Sequence, residues 1–273
     1  TGPKDISKPA DSILVHPDVR KMLLTAKAYA EGARAMSLYC ALLIDKEHNH
    51  PDAQVRADCA EMVALLTPIV KAFITDNGHI ATNACMQVFG GHGFIKEWGM
   101  EQYVRDNRIN LIYEGTNTIQ SLDLLGRKVL GNNGESLKKF GKQIASLVAS
   151  ARADEQIADD MEEFLAPLAD LGTKMTAFTT EIGYKAFQNA NEVGAASVDY
   201  LRVAGHMVFG YFFASMAQVA LKAIAEGRGD KFYQGKLQTA RFYFAKLFPE
   251  TLSLMATART GAATLMDTDA VFA

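Results

Sequence analysis

Pro17-Asp18-Val19-Arg20-Lys21-Met22-Leu23-Leu24-Thr25-Ala26-Lys27-Ala28-Tyr29-Ala30-Glu31-Gly32-Ala33-Arg34-Ala35-Met36 sets Met22, Leu23, Ala26, Tyr29, Ala30, Ala33 and Met36 in one apolar stripe at helical spacing. Proline at the first turn gives up no intrahelical hydrogen bond, and Asp18 stands where a helix N-terminus favours negative charge. The pattern predicts a helix from 17 to about 45. Outward from it, Ala, Leu, Met, Lys and Glu dominate long periodic segments, and the chain of 273 residues holds only seven prolines. Such a composition forms helix nearly throughout.

His48-Asn49-His50-Pro51-Asp52 reads as a turn, and a second helix is predicted over 53–89. Pro68 lies inside it and implies either a kink or a separate first turn. A loop over 90–99, a short helix over 101–108 and a turn over 112–116 follow. Asn117 with Gln120 resembles a capping box, so the next helix should start there and reach about 130. Gly131-Asn132-Asn133-Gly134 is the clearest break. Beyond it, helices are predicted over 135–153, 159–189, 195–225 and 230–266. The expectation is an all-α chain, an up-and-down helical bundle over 1–131 followed by a second helical bundle over 132–273.

Half of the residues are hydrophobic (49%), enough to build a core, and 28 basic residues stand against 31 acidic ones without long runs of either sign. That balance argues against nucleic-acid binding. Cys40, Cys59 and Cys85 are widely spaced and form no metal-finger pattern, which fits a reduced, cytoplasmic setting. Thr1-Gly2-Pro3-Lys4-Asp5 has neither an apolar core nor a starting methionine, so no signal peptide is expected and a processed or truncated product is. The apolar stretch 207–221, bracketed by His206 and Lys222, is shorter than the ~20 residues of a bilayer span and reads as a buried helix.

Two segments carry candidate chemistry. Gln87-Val88-Phe89-Gly90-Gly91-His92-Gly93-Phe94 joins a helix end to paired glycines, where a backbone reaches positive φ and its N–H groups approach phosphate oxygens. Alone, such a turn is more often a helix stop. Ile112-Tyr113-Glu114-Gly115-Thr116 sets one carboxylate between an apolar wall and a glycine, an arrangement suited to a general base, although an isolated turn glutamate is ordinarily a solvated charge. His48 and His50 have no third ligand nearby, so no metal site is expected. Cys85 reads as a packed, unreactive residue, Phe209, Tyr211, Phe212 and Phe213 as core, and Asp159-Asp160-Met161-Glu162-Glu163 as a solvated first turn.

Taken together, Gln87-x-x-Gly90-Gly91-x-Gly93-Phe94, Tyr103-Val104-Arg105-Asp106 and Ile112-Tyr113-Glu114-Gly115-Thr116-x-x-Ile119-Gln120 resemble the C-terminal helical domain of acyl-CoA dehydrogenases. The part after Gly134 is similar to the helical extension of long bacterial members, on Thr239-Ala240-Arg241-Phe242-Tyr243 and Leu247-Phe248-Pro249-Glu250-Thr251. The resemblance implies FAD as cofactor, an acyl-CoA substrate, an electron-transferring flavoprotein as partner and a homo-oligomer, dimer or tetramer. It implies Glu114 as the base that removes the α-proton of the thioester, with Ile112 and Tyr113 supplying apolar surroundings. By the same resemblance Gln87, Gly90 and Gly91 contact the FAD of a neighbouring subunit, Thr116 and Thr118 meet flavin phosphate or ribityl groups, and Arg105 pairs with Asp106 or other acids to hold its loop. The sequence departs from the family at Pro17, where a glutamine usually follows the histidine. It also carries no counterpart of the family's N-terminal and middle domains, so the fragment by itself is expected to be inactive. The rival reading is a non-catalytic helical oligomerisation or interaction module.

Overall fold

The computed structural model describes residues 4–272; residues 1–3 and 273, which the sequence-based bounds 1–131 and 132–273 include, lie outside the described residues. The fold is all-α, with no strand among the described residues. Two long antiparallel helices, α1 (Pro17–Asn49) and α2 (Ala53–Val88), pack along their lengths. Asp52 caps α2 by accepting from Gln54 N at 2.7 Å. Pro68 is buried within α2 and does not end it. After short 3₁₀ turns come α3 (Met100–Arg108) and α4 (Asn117–Leu122), both packed on α2. A π-helical stretch, Asp123–Val129, continues α4 into the break, where Asn133 (φ 55°) and Gly134 (φ 74°) take left-handed conformations.

The second half contains α5 (Glu135–Arg152), α6 (Ala158–Gln188), α7 (Asn191–Ala225), α8 (Lys231–Phe242), α9 (Glu250–Arg259) and the short α10 (Ala263–Met266) and α11 (Asp269–Phe272). The single helix predicted over 230–266 is therefore divided. Phe248 N bonds back five residues to Tyr243 O at 2.9 Å, making Tyr243–Leu247 a π-turn, and Pro249, which has no N–H, breaks the ladder before α9.

α7 is the spine. It packs against α1, α2 and α4 from the first half and against α6, α8 and α9 from the second. Its length and apolarity match those of a membrane span, but it lies mostly buried inside the bundle, as the 207–221 stretch predicts. Tyr200, Phe209 and Phe213 are fully buried on it. Close approach depends on glycine: a Cβ on Gly205 would fall 2.3 Å from Phe73, and one on Gly32 would fall 2.4 Å from Phe209.

Candidate functional site

The turn before α4 is built around two successive left-handed residues, Glu114 (φ 55°) and Gly115 (φ 77°). Glycine takes this conformation freely, whereas a glutamate there costs about 1–2 kcal/mol. Gln120 Nε2 donates to Glu114 O at 3.1 Å and holds the turn. The helix cap is Thr116, whose Oγ1 accepts from Ile119 N at 3.4 Å. The expected box of Asn117 and Gln120 is thus not formed, because Asn117 is drawn to α2. Its Nδ2 donates to Asp76 Oδ1 at 2.6 Å and Thr75 Oγ1 at 3.0 Å, while Lys71 Nζ donates to its Oδ1 at 2.6 Å.

Glu114 itself is exposed, and its carboxylate has no hydrogen-bond or ion-pair partner among the described residues. Ile112 and Tyr113 are 48% and 50% exposed, so the apolar surroundings expected of them are not built within this chain. Both project from a turn, and the Tyr113 hydroxyl donates to Asn110 Oδ1 at 2.8 Å instead. Partial burial pushes the Lys71 ammonium down, and the charges of Asp76 and Glu114 oppose that, so Glu114 is felt electrostatically across the Asn117 hub.

Gln87 sits exposed on the last turn of α2. Gly90 is left-handed (φ 60°), and a Cβ on Gly90 or Gly91 would meet nothing within 4 Å, so this side of the turn is open. Gly93 differs: a Cβ there would lie 2.3 Å from Met86 O, and the residue is needed to seat the turn on α2. The structure brings Glu114, Thr116 and Thr118 onto one turn and Gln87, Gly90 and Gly91 onto another. Eleven residues of α2, about 16 Å of helix, separate Asp76 from Gln87. An open glycine cradle and a separate helix-opening turn suit two different portions of an extended dinucleotide. On the segments around them Phe94 (79% exposed), Trp98 (58%), Tyr103, Ile109 and Ile119 are exposed apolar side chains.

Arg105 makes no ion pair among the described residues, since side chains one apart on a helix do not face each other; Asp106 accepts from Gln102 Nε2 one turn away, at 2.6 Å. Glu162 and Glu163 do more than open α6, since they pair with Arg152 at 2.6 Å and Arg241 at 2.8 Å and tie α6 to α5 and α8. His50 Nδ1 accepts from Asp52 N at 3.2 Å and closes its turn. Among the described residues no three His, Cys, Asp or Glu side chains converge as a metal group.

A buried polar cluster went unread in the sequence. His206 is fully buried on α7; its Nε2 lies 2.7 Å from Glu250 Oε2 and its Nδ1 lies 2.9 Å from the Tyr243 hydroxyl. Arg202 Nη2 donates to the same Glu250 oxygen at 2.6 Å. Burial alone would raise the Glu250 carboxyl, but the hydrogen bonds from His206 and Arg202 hold it at about 2. Burial pushes the His206 imidazole down, against the pull of Glu250. A neutral ring with the proton on Nε2 satisfies both partners: it donates to Glu250 and accepts from Tyr243. Arg202 and His206, four residues apart in a predominantly apolar helix, were the available signal.

Comparison with known proteins gives two matches in series. Residues 8–130 match the family model "Acyl-CoA dehydrogenase, C-terminal domain", and residues 140–269 match "Acetyl-CoA dehydrogenase C-terminal like". The chain is 35% identical to the 3-methylmercaptopropionyl-CoA dehydrogenase of Ruegeria pomeroyi over 242 residues, 87% of this chain and 40% of that protein. Among solved structures, Caenorhabditis elegans ACDH-11 in complex with C11-CoA superposes with a TM-score of 0.69 at 18% identity, over 88% of this chain and 37% of that one. An acyl-CoA dehydrogenase from Bacillus anthracis complexed with FAD gives 0.66 at 18% identity, over 93% and 42%. The chain spans about two fifths of the length of the curated relatives it matches.

Proposed function

Because this chain belongs to the acyl-CoA dehydrogenase family, as its C-terminal helical region, we propose that it forms the C-terminal part of an FAD-dependent acyl-CoA dehydrogenase. The reaction is the α,β-dehydrogenation of an acyl-CoA to a trans-2-enoyl-CoA. The observation that carries this reading is the strained, unpartnered glutamate: Glu114 is held left-handed by Gln120 and Gly115 with its carboxylate left open. Backbone strain of this kind concentrates at functional sites.

In this proposal Glu114 takes the α-proton of the thioester, and Thr116 with Thr118 binds the flavin's ribityl or phosphate portion. Gln87, Gly90 and Gly91 contact the FAD of a neighbouring subunit. Held by these residues, FAD would supply the acceptor for the hydride that leaves the β-carbon. The apolar cover that Glu114 lacks here comes, in the proposal, from the rest of the enzyme, which excludes water and strengthens the base. Lys71 and Asn117 fix the α4 end against α2 and so orient Glu114. The exposed side chains of Phe94, Trp98 and Tyr103 support a homo-oligomer, a dimer or tetramer. Transfer of electrons to an electron-transferring flavoprotein, a cytoplasmic setting and a boundary between 1–131 and 132–273 are part of the same proposal, as is inactivity of the chain alone.

The test is Glu114→Gln in the flavin-loaded enzyme. It should lower kcat by about 10³-fold, in the range of a lost general base, while leaving flavin content unchanged. Turnover close to that of the unmodified enzyme would end the assignment. The rival, a helical interaction module without catalysis, is favoured only by these exposed apolar side chains. It predicts that assembly survives while no flavin is retained by the enzyme.

A further inference from the structure

A long open groove of about 1550 Å³ runs between α5 and α6 and is floored by Val129, Leu130 and Met207. None of the proposed cofactor or base residues lines it. Its walls are made apolar in an indirect way. Thr173, Thr176 and Thr180 line it, yet their hydroxyls donate to the carbonyls of Ala169, Gly172 and Thr176 on their own helix, at 3.1, 3.3 and 3.0 Å. The hydroxyl donors are used up within α6, so the threonines have no proton left to give to a ligand. Gly141 on α5 and Gly172 on α6 widen it, since a Cβ on either would meet nothing within 4 Å.

The charge is one-sided. Lys138, Lys142 and Arg152 line the groove, and no carboxylate does. Lys138 is paired with Glu135 at 2.7 Å and Arg152 with Glu162 at 2.6 Å, so Lys142 is the lining cation that has no ion pair among the described residues. The lining on α5 runs from Leu137 to Arg152, about 22 Å of helix, and a mostly apolar trough with Lys142 part-way along it complements an apolar chain that ends in an anion.

We propose that the α5–α6 groove binds an anionic amphiphile, a long-chain carboxylate, with its alkyl chain along the trough and its carboxylate on Lys142. The site is separate from the residues assigned to dehydrogenation, and its occupancy does not depend on that assignment.

Titration of the chain with dodecanoate, and with uncharged 1-dodecanol as control, measures it by calorimetry, with hydrogen exchange locating the protected helices. Dodecanoate should bind and slow exchange in α5 and α6, more tightly than the alcohol. Gly141→Leu with Gly172→Leu, which fills open space without touching the core, should weaken binding by about tenfold or more while the helical circular dichroism is retained. Lys142→Glu should weaken dodecanoate about tenfold and leave dodecanol unchanged. No binding, protection elsewhere, or binding indifferent to the two leucines overturns the proposal. So does dissociation of an oligomer by those leucines without any dodecanoate binding, which assigns the groove to a second copy of the chain.

Discussion

Glu114 and Glu250 are both glutamates at the beginning of a helical segment, and the protein treats them in opposite ways. Glu250 opens α9 with two cationic or polar donors on one oxygen and is held at about 2. Glu114 stands on a left-handed backbone with no side-chain partner among the described residues. A carboxylate that serves the fold is surrounded by donors, and the neighbouring α7 supplies them. The carboxylate proposed to serve chemistry has no donor beside it, and each hydrogen bond to it would weaken it as a base. The contrast also extends to the surroundings: Glu250 adjoins the packed core, Glu114 apolar side chains still open to solvent.

Substitutions at the two sites should separate stability from activity. Glu250→Ala leaves Arg202 and His206 without their shared acceptor. Since the Glu250 side chain is 39% exposed, the cost is placed at the low end for a broken ion pair, about 2–3 kcal/mol, read as a lower urea midpoint of the chain. Gly205→Ala drives a methyl into Phe73 and should cost about 2 kcal/mol by overpacking, with α2 losing exchange protection first. Glu114→Gly acts in the other direction. It relieves a left-handed glutamate and should leave stability unchanged or raise it by about 1 kcal/mol, while removing the proposed activity of the enzyme. A loss of stability there would erase the distinction between the two glutamates.

A further effect is in the pH profile. Glu250 and His206 both titrate lower in the folded protein, so the folded state holds fewer protons and stability rises with pH. Their contribution is complete above the ordinary imidazole value of 6.5. It declines as pH falls below that value, and falls again between 4.5 and about 2 as Glu250 takes up its proton. Glu250→Gln should flatten the lower part of this decline and spare stability differences measured on Glu114 variants, as urea midpoints at several pH values will report.

Periodicity located the long helices well, because their apolar stripes are set by local spacing: 17–45 and 135–153 differ from Pro17–Asn49 and Glu135–Arg152 only at one end. It misplaced features decided by tertiary contact. The cap moved from Asn117 to Thr116 because α2 offers Asp76 and Thr75 as partners to Asn117. The helix over 230–266 divided because the π-turn at Tyr243–Leu247 and Pro249 interrupt a stripe that is periodic on paper. The turn carrying Glu114 was legible, since glycine follows the acid and a threonine follows the glycine. Its exposure was not, because solvent access is decided by what packs over a segment. Arg202 and Glu250 lie 48 residues apart, and no local pattern links them.

The shared spine has a mechanical consequence. α7 follows the break at Asn133 and Gly134 in chain order, yet Phe73 and Phe209, from α2 and α7, meet edge to face at 4.9 Å, and Gly32 of α1 rests on Phe209. Cutting the chain at the break would strip α1 and α2 of the wall they close upon. Heat should therefore melt both halves in one calorimetric peak, and strain entering at either end would be felt by the other through a single rod.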